Sequence, residues 1–510
     1  MRERMSLLAA DVVAPRVDWL AIGPVVVVAG VGIGIVLLRA IVRRRGDWLF
    51  SASSALAIAG TVAAGIVLVI QWYKVEDDGP RSALAGMLRL DPLGIFLGGV
   101  VLIATLLALL LSTEYLRRED LESPEYLALL LLSAVGMLAM TTADDLIVVF
   151  VALEILSIPL YVLAAFDRRR LASQEAGIKY FVLGAFSSAV FLYGVALVYG
   201  ATGTTSLSGI GAFLAQNTLL EDGVLLAGIA LLLVGIGFKI AAAPFHMWTP
   251  DVYQGAPTPV TAFMSSATKV AGFAALLRVF YVAFPLFRDT WRPAIAGLAI
   301  VTMVVGSVAA IVQTDVKRML AYSSIAHAGY VLIGVAAAAA DGRAASERGL
   351  QSALLYLLVY AFMTIGAFAV VMVVARPSHD ARHTLTDYRM LATRSPVLAG
   401  LLAFFLLAQA GVPLTGGFIA KLEVFSAATE AGAYYLVIVG VLAAVVAAFI
   451  YLRIVVTMFA SEDDPDAPSP SRSRLDFPLV LVLGITTAAV LAIGIAPGWF
   501  LDLARDAAIL

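Results

Sequence analysis

Apolar residues come in runs of about twenty, one after another from Trp19 almost to the C-terminus, and this repetition constrains the fold more than any other feature. Twenty apolar residues are roughly what one α-helix needs to cross a bilayer. A membrane β-barrel would show short segments of alternating polarity instead, and none are present. Only 14% of the 510 residues are charged and mean hydropathy is +0.96, whereas soluble domains carry about 25% charged residues. The sequence therefore predicts an all-α polytopic membrane protein.

Fourteen membrane helices are expected, near 19–40, 49–72, 92–113, 125–142, 145–166, 175–200, 223–242, 258–283, 293–312, 319–340, 350–375, 396–428, 434–459 and 477–499. Two of them carry breaks. Residues 243–257, after the seventh run, are irregular and include Pro244, and the twelfth run is interrupted by Gly411-Val412-Pro413-Leu414-Thr415-Gly416-Gly417. Proline removes a helix donor and glycine tolerates unusual dihedrals. Broken backbone at membrane depth is tolerated only where protein buries it or where it lines a polar cavity. The two breaks lie five helices apart, which predicts two inverted five-helix repeats, helices 4–8 and 9–13, around a midplane site. The expected units are residues 1–124, 125–285, 286–460 and 461–510, the last beginning with a polar loop at 460–476.

Loops after odd-numbered helices hold most of the loop Lys and Arg, including Arg43 to Arg45 and Arg168 to Arg170. Basic residues favour the cytoplasmic side, so both termini are expected on the opposite side. Net charge is −2, which gives nucleic acid no electrostatic footprint. With no cysteine, disulfides and thiolate-held clusters are excluded within the chain. No metal-ligand spacing, dinucleotide motif or Walker loop stands in a supporting context; His379 and His383 sit in an Arg-rich loop.

Against this apolar background a few ionisable residues stand out. Only six of the 34 basic residues are lysine: Lys74, Lys179, Lys239, Lys269, Lys317 and Lys421. A charge at the centre of a membrane helix costs about 2.5–3.5 kcal/mol on insertion scales, so Glu154, in the middle of the fifth run, must be protonated or paired. A purely structural ion pair is the alternative to a functional one. Lys239 ends Gly235-Ile236-Gly237-Phe238-Lys239 at the edge of the seventh-helix break. Opening and closing of a Glu154–Lys239 pair would switch that lysine between charged and neutral forms, which a permanently charged arginine does not allow. Lys269 follows Ser265-Ser266-Ala267-Thr268, hydroxyls that would hold water beside it, and Lys421 follows the second break. His246, in the first break, and His327, within Tyr322 to Tyr330, are candidate relay groups. Lys179 is expected to snorkel to the interface, Asp144 and Asp145 to be interfacial, and Glu423 to lie on the helix face opposite Lys421.

Pro244-Phe245-His246-Met247-Trp248-Thr249-Pro250-Asp251-Val252-Tyr253-Gln254-Gly255-Ala256-Pro257-Thr258-Pro259, with Leu153-Glu154-Ile155-Leu156-Ser157 and the Tyr322 to Tyr330 stretch, resembles the antiporter-like subunits of respiratory complex I. Lys421, where the M type usually has glutamate, and Lys269 after Gly255-Ala256-Pro257-Thr258-Pro259 make the likeness strongest to the N type. Glu423 departs from that pattern. The resemblance implies a pump subunit of bacterial NADH–quinone oxidoreductase, placed in the inner membrane between subunits K and M. It also implies a hydrated axis of Glu154, Lys239, Lys269 and Lys421, connected by His246 and His327. FMN, iron–sulfur clusters and quinone would then belong to other subunits, and no cofactor to this one. An Mrp-type cation/proton antiporter subunit, of shared ancestry, is the competing expectation, and a structural spacer that moves no protons is a third.

Overall fold

The computed structural model describes residues 17–42, 47–217, 221–340, 342–374, 383–460 and 476–508. The Arg43–Arg45 run, His379 and nearly all of the 460–476 loop lie outside these. Among the described residues thirteen helices are long and apolar enough to span a membrane. The spans are α1 (Gly23–Ile41), α2 (Asp47–Asp78), α3 (Pro92–Arg118), α4 (Pro124–Thr142), α5 (Leu146–Ala164), α6 (Leu171–Thr202) and α7a (Gly223–Ile240). They continue with α8 (Thr258–Ala283), α9 (Arg288–Ile311), α10 (Val316–Ala338), α11 (Arg343–Val374), α13 (Tyr434–Phe459) and α14 (Phe477–Ile495). The remaining expected span, the twelfth, is the pair α12a (Pro396–Ala410) and α12b (Gly416–Glu430), each too short to cross alone. The seventh run goes on as α7b (Trp248–Gly255), and a short amphipathic helix, α15 (Gly498–Asp506), follows α14. An all-α polytopic membrane architecture is what the structure shows.

The most apolar stretch of α8 is wholly buried and those of α10 and α11 are 94% buried, against 22% for α1 and 33% for α13 and α14. Three central helices are thus shielded from lipid by the others. That is why polar groups can be carried on them. Small residues allow the close approach. A Cβ at Gly136 would sit 2.4 Å from the Leu156 nitrogen of α5, and one at Gly306 would sit 2.5 Å from the Ala326 nitrogen of α10.

Both breaks occur where the sequence placed them. Helix α7a ends in a left-handed residue, Ala241, and the irregular part is confined to 241–247 before α7b begins. Helix α12a ends at Gly411, at φ +92°, and Leu414 is left-handed too. Pro413 lies between the halves, Gly416 opens α12b, and a Cβ on Gly417 would lie 1.8 Å from the Ala408 carbonyl oxygen. The folded-back geometry of this break therefore requires glycine at 417.

Asp144 and Asp145 lie in the α4–α5 connection, at the end of the bundle. They are buried, because the helix Leu207–Gln216 and the hairpin β1 (Arg81–Ala83) with β2 (Leu88–Leu90) pack at that end of the bundle. Asp145 caps α5 through the Ile147 N–H at 2.7 Å and accepts from Thr205 Oγ1 at 2.7 Å.

Candidate functional site

Lys239, on the last turn of α7a, is 4% exposed. Its Nζ donates to Ser157 Oγ of α5 at 2.6 Å and lies 5.4–5.7 Å from the ring centres of Tyr161, Tyr180 and Phe238. Trp248, the first residue of α7b, stacks on Tyr180 at 4.6 Å and donates its indole N–H to the Phe238 carbonyl at 3.0 Å. The break thus returns its own aromatic residue to wall the lysine. Glu154 stands one helical turn before Ser157, within electrostatic reach of Lys239, but no direct ion pair joins them. In this structure the expected pair is open: the serine hydroxyl occupies the lysine, and Glu154 Oε1 is buried without a hydrogen-bond partner.

Lys269, 2% exposed, directly follows a π-helical segment, Met264–Thr268, in α8. Such insertions re-aim side chains and are frequent at functional sites. Its Nζ donates to Ser324 Oγ of α10 at 2.6 Å and also to the Ser324 carbonyl, and lies 5.3 Å from the Tyr360 ring centre. Of the three hydroxyls expected beside it, Thr268 Oγ1 is buried without a partner and the two serines bond to their own helix. Ser265 and Ser266 bond back to the Ala262 carbonyl at 3.0 and 2.7 Å. The serving hydroxyl comes from a different helix.

One turn beyond Ser324, His327 is buried among phenols. Its Nδ1 is 2.8 Å from Tyr356 Oη of α11, and its Nε2 is 3.2 Å from Tyr451 Oη of α13. Tyr451 Oη lies 2.5 Å from Ser323 Oγ, which donates to Gln409 Oε1 of α12a at 3.2 Å. The Gln409 and Ala410 carbonyls, at the C-terminus of α12a, accept from Lys421 Nζ at 2.9 and 2.8 Å. A cation at a helix C-terminus is favoured by the aligned peptide dipoles. Lys421 also lies 5.0 Å from the Tyr330 ring centre. A buried polar chain therefore extends from Lys269 to Lys421 in three hydrogen-bonded segments: Lys269–Ser324, then Tyr356–His327–Tyr451–Ser323–Gln409, then Lys421 on the Gln409 and Ala410 carbonyls. The segments follow one another along α10 and α12a without a hydrogen bond from one to the next.

The remaining sequence candidates stand outside that chain. His246 lies in the first break with a buried, unpartnered Nδ1 and no hydrogen bond to any of the three lysines. Glu423 faces away from Lys421 and pairs with Arg348 at 3.7 Å. Lys179 pairs with Glu175 and Asp251, each at 2.6 Å, at the loop end of the bundle. Three features were missed. Ser157, Gln409 and Tyr451 look ordinary in sequence because their partners are on other helices. Arg278 of α8 is wholly buried, its Nη2 and Nη1 on Asp91 at 2.6 and 3.0 Å. Lys317, placed in a loop by the expected start of helix 10 at 319, is buried because α10 begins at Val316.

Residues 143–447 match the family model described as NADH:quinone oxidoreductase/Mrp antiporter, TM. NADH-quinone oxidoreductase subunit N of Mycobacterium tuberculosis is 44% identical, over 97% of this chain and 98% of its own. A chain of respiratory complex I from Thermus thermophilus is 33% identical with TM-score 0.77, covering 94% of this chain and 99% of its own. A chain of the Mrp complex from Dietzia superposes with TM-score 0.84 at 21% identity, covering 96% of this chain and 97% of its own, a likeness of fold alone. With the family model enclosing every site residue from Glu154 to Lys421 and 44% identity carried over nearly the whole of both chains, the chain belongs to the subunit N family of NADH-quinone oxidoreductase.

Proposed function

We propose that this chain is a proton-translocating, non-redox subunit of the membrane arm of NADH-quinone oxidoreductase. In this reading quinone reduction elsewhere in the complex drives proton transfer through Glu154, Lys239, Lys269 and Lys421. The supporting observation is the buried polar chain from Lys269 to Lys421. Its members differ in how they pass a proton. Each lysine ammonium gives one up and takes one back. His327, held between two phenols, accepts at one ring nitrogen and releases from the other. Serine and tyrosine hydroxyls donate and accept in turn. Water is the carrier between Lys239 and Lys269, between Ser324 and the His327 segment, and between the Gln409 side chain and Lys421, where no hydrogen bond joins the groups.

FMN, iron–sulfur clusters and quinone belong in this reading to other subunits, and K and M are the membrane neighbours. The membrane is a bacterial inner membrane, with both termini on its non-cytoplasmic side. The two breaks then belong to two inverted five-helix units, α4–α8 and α9–α13. An Mrp-type antiporter role has support from fold likeness only, at 21% identity.

Lys239→Ala and Glu154→Ala test the proposal. Each is expected to leave the complex assembled while NADH-driven acidification of proteoliposomes falls on the order of 10²-fold, the lower range for loss of one proton-transferring group. Wild-type pumping in an assembled variant refutes it, and would favour the structural spacer.

A further inference from the structure

Lys317 is the one fully buried lysine that the axis above does not use. It opens α10, is 0% exposed, and its Nζ donates to the Ala256 carbonyl, the C-cap of α7b, at 2.7 Å. Among the described residues no carboxylate lies within ion-pair distance of it. Asp315, the α10 N-cap, acts on it only from further off, bonded instead to the Arg318 N–H at 2.9 Å. Arg170 from the α5–α6 connection faces it, as does His383 from the segment before α12a, itself 3% exposed. Tyr388 stands near Asp315. Beside this group, Arg318 and Lys179 both bind Asp251 of α7b, at 2.5 and 2.6 Å, and Arg318 also reaches Gln254 at 3.1 Å.

The position is directional. The α5–α6, α9–α10 and α11–α12 connections all follow odd-numbered spans, so they meet at one end of the bundle, and Lys317 lies just inside it. Seven residues along α10, on the same face, is Ser324, the hydroxyl that holds Lys269. Seven residues are about 10.5 Å of helix. The facing wall is continuous too: α7b is capped by Ala256, which holds Lys317, and three residues before it carries Tyr253, which stands near Ser324. A buried ion without a counter-ion is retained in a membrane protein chiefly where it lies on an ion pathway.

We propose that Lys317 is a further proton-carrying residue, the port through which protons enter from this loop end and pass along the α10–α7b seam to Lys269. The inference rests on the proton-translocating reading above. The Lys317 amine takes a proton from water on the His383 side. The resulting ammonium is held by the Ala256 carbonyl and gives the proton up to water towards Ser324, returning to the amine. A lysine serving only to latch α7b onto α10 would need the positive donor and never its loss. Arginine separates the two roles, because it keeps charge and donors but does not deprotonate in proteins.

The experiment uses the assembled complex in proteoliposomes carrying Lys317→Arg, Lys317→Gln or Lys317→His, with Lys239→Ala alongside. Coupled turnover is expected to fall at least ~10-fold in the Arg and Gln variants, with assembly intact, while the titratable His variant retains several times the pumping of Gln. Wild-type pumping by Lys317→Arg overturns the proposal. Should the larger arginine prevent assembly, the other pair decides, and equal pumping by Gln and His overturns it. Lys239→Ala separates the two readings: if that variant also pumps normally the translocation reading fails, and if it alone is impaired only the port fails.

Discussion

Tyr451→Phe removes a single oxygen from the middle of the buried chain. That oxygen lies 3.2 Å from His327 Nε2 and 2.5 Å from Ser323 Oγ, and it is the only atom described between them. Without it His327 keeps Tyr356 on Nδ1, and Ser323 keeps Gln409, but the two halves no longer touch. Leaving the buried Nε2 unpartnered costs about 1–3 kcal/mol of stability. That is too little to unfold a helical bundle of this size. The kinetic consequence is larger, since loss of one proton-transferring group typically slows a step 10²–10⁴-fold. His327 Nε2 and Ser323 Oγ remain as two partners for a replacement water, the minimum that an ordered water needs, so the lower end of that range, roughly 10²-fold, is expected. NADH-driven quench of a pH-sensitive dye in proteoliposomes reads the effect, with NADH:quinone electron transfer under uncoupler as the companion measurement. Tyr356→Phe is the control: it removes the other phenol on His327 but does not cut the route to Lys421, and should slow pumping much less. Wild-type pumping by an assembled Tyr451→Phe complex, or equal loss in the two variants, would refute a route through this oxygen.

Gly417→Ala would drive a Cβ to within 1.8 Å of the Ala408 carbonyl, so the yield of assembled complex should fall by an overpacking cost of at least about 1–3 kcal/mol. Gly400→Ala, with nothing within 4 Å, should leave the yield unchanged. His383, outside the spans, is held well below its ordinary value by burial, then by Lys317 and Arg170. The unfolded chain therefore binds more protons below about pH 6.5, and the stability contributed by the neutral imidazole, complete above that pH, is lost as pH falls. The thermal midpoint of the complex should drop between pH 7 and 5.5, by at most ~1.4 kcal/mol per pH unit, and His383→Gln should flatten that slope; an unchanged slope speaks against a buried neutral His383.

How much of this was legible in the sequence depends on whether a feature is local. Span number and the two breaks could be read because apolar length, proline and glycine act on their own segment. Lys239, Lys269 and Lys421 could be read because a charge in an apolar run is costly wherever its partner is. The partners could not. Ser157, Ser324, Gln409 and Tyr451 acquire their roles from helices far away in the chain, and a hydroxyl in an apolar run is no anomaly. Lys317 was lost to a three-residue error in where α10 starts, within the ordinary uncertainty of helix ends. The burial of Asp144 and Asp145 could not be read because the residues that cover them come some sixty residues later.

Among the described residues, the four buried lysines and the one buried arginine of the bundle are treated in opposite ways. Arg278 is gripped by both oxygens of Asp91 and by the Thr141 carbonyl at 2.5 Å. Lys239, Lys269, Lys317 and Lys421 are instead held by serine hydroxyls and backbone carbonyls, while Glu154 and Asp315 stand off. A carboxylate in contact would fix the ammonium form, since breaking such a buried pair costs about 3–5 kcal/mol. A hydroxyl makes no such demand, because it donates to an amine as readily as it accepts from an ammonium. A carbonyl only accepts, but it carries no full charge for the ammonium to lose. The permanently charged residue is therefore anchored and the titratable ones are left able to change charge. That division separates, among cations equally buried, those that hold the bundle together from those suited to carry a proton through it, and it places Lys317 with the second group.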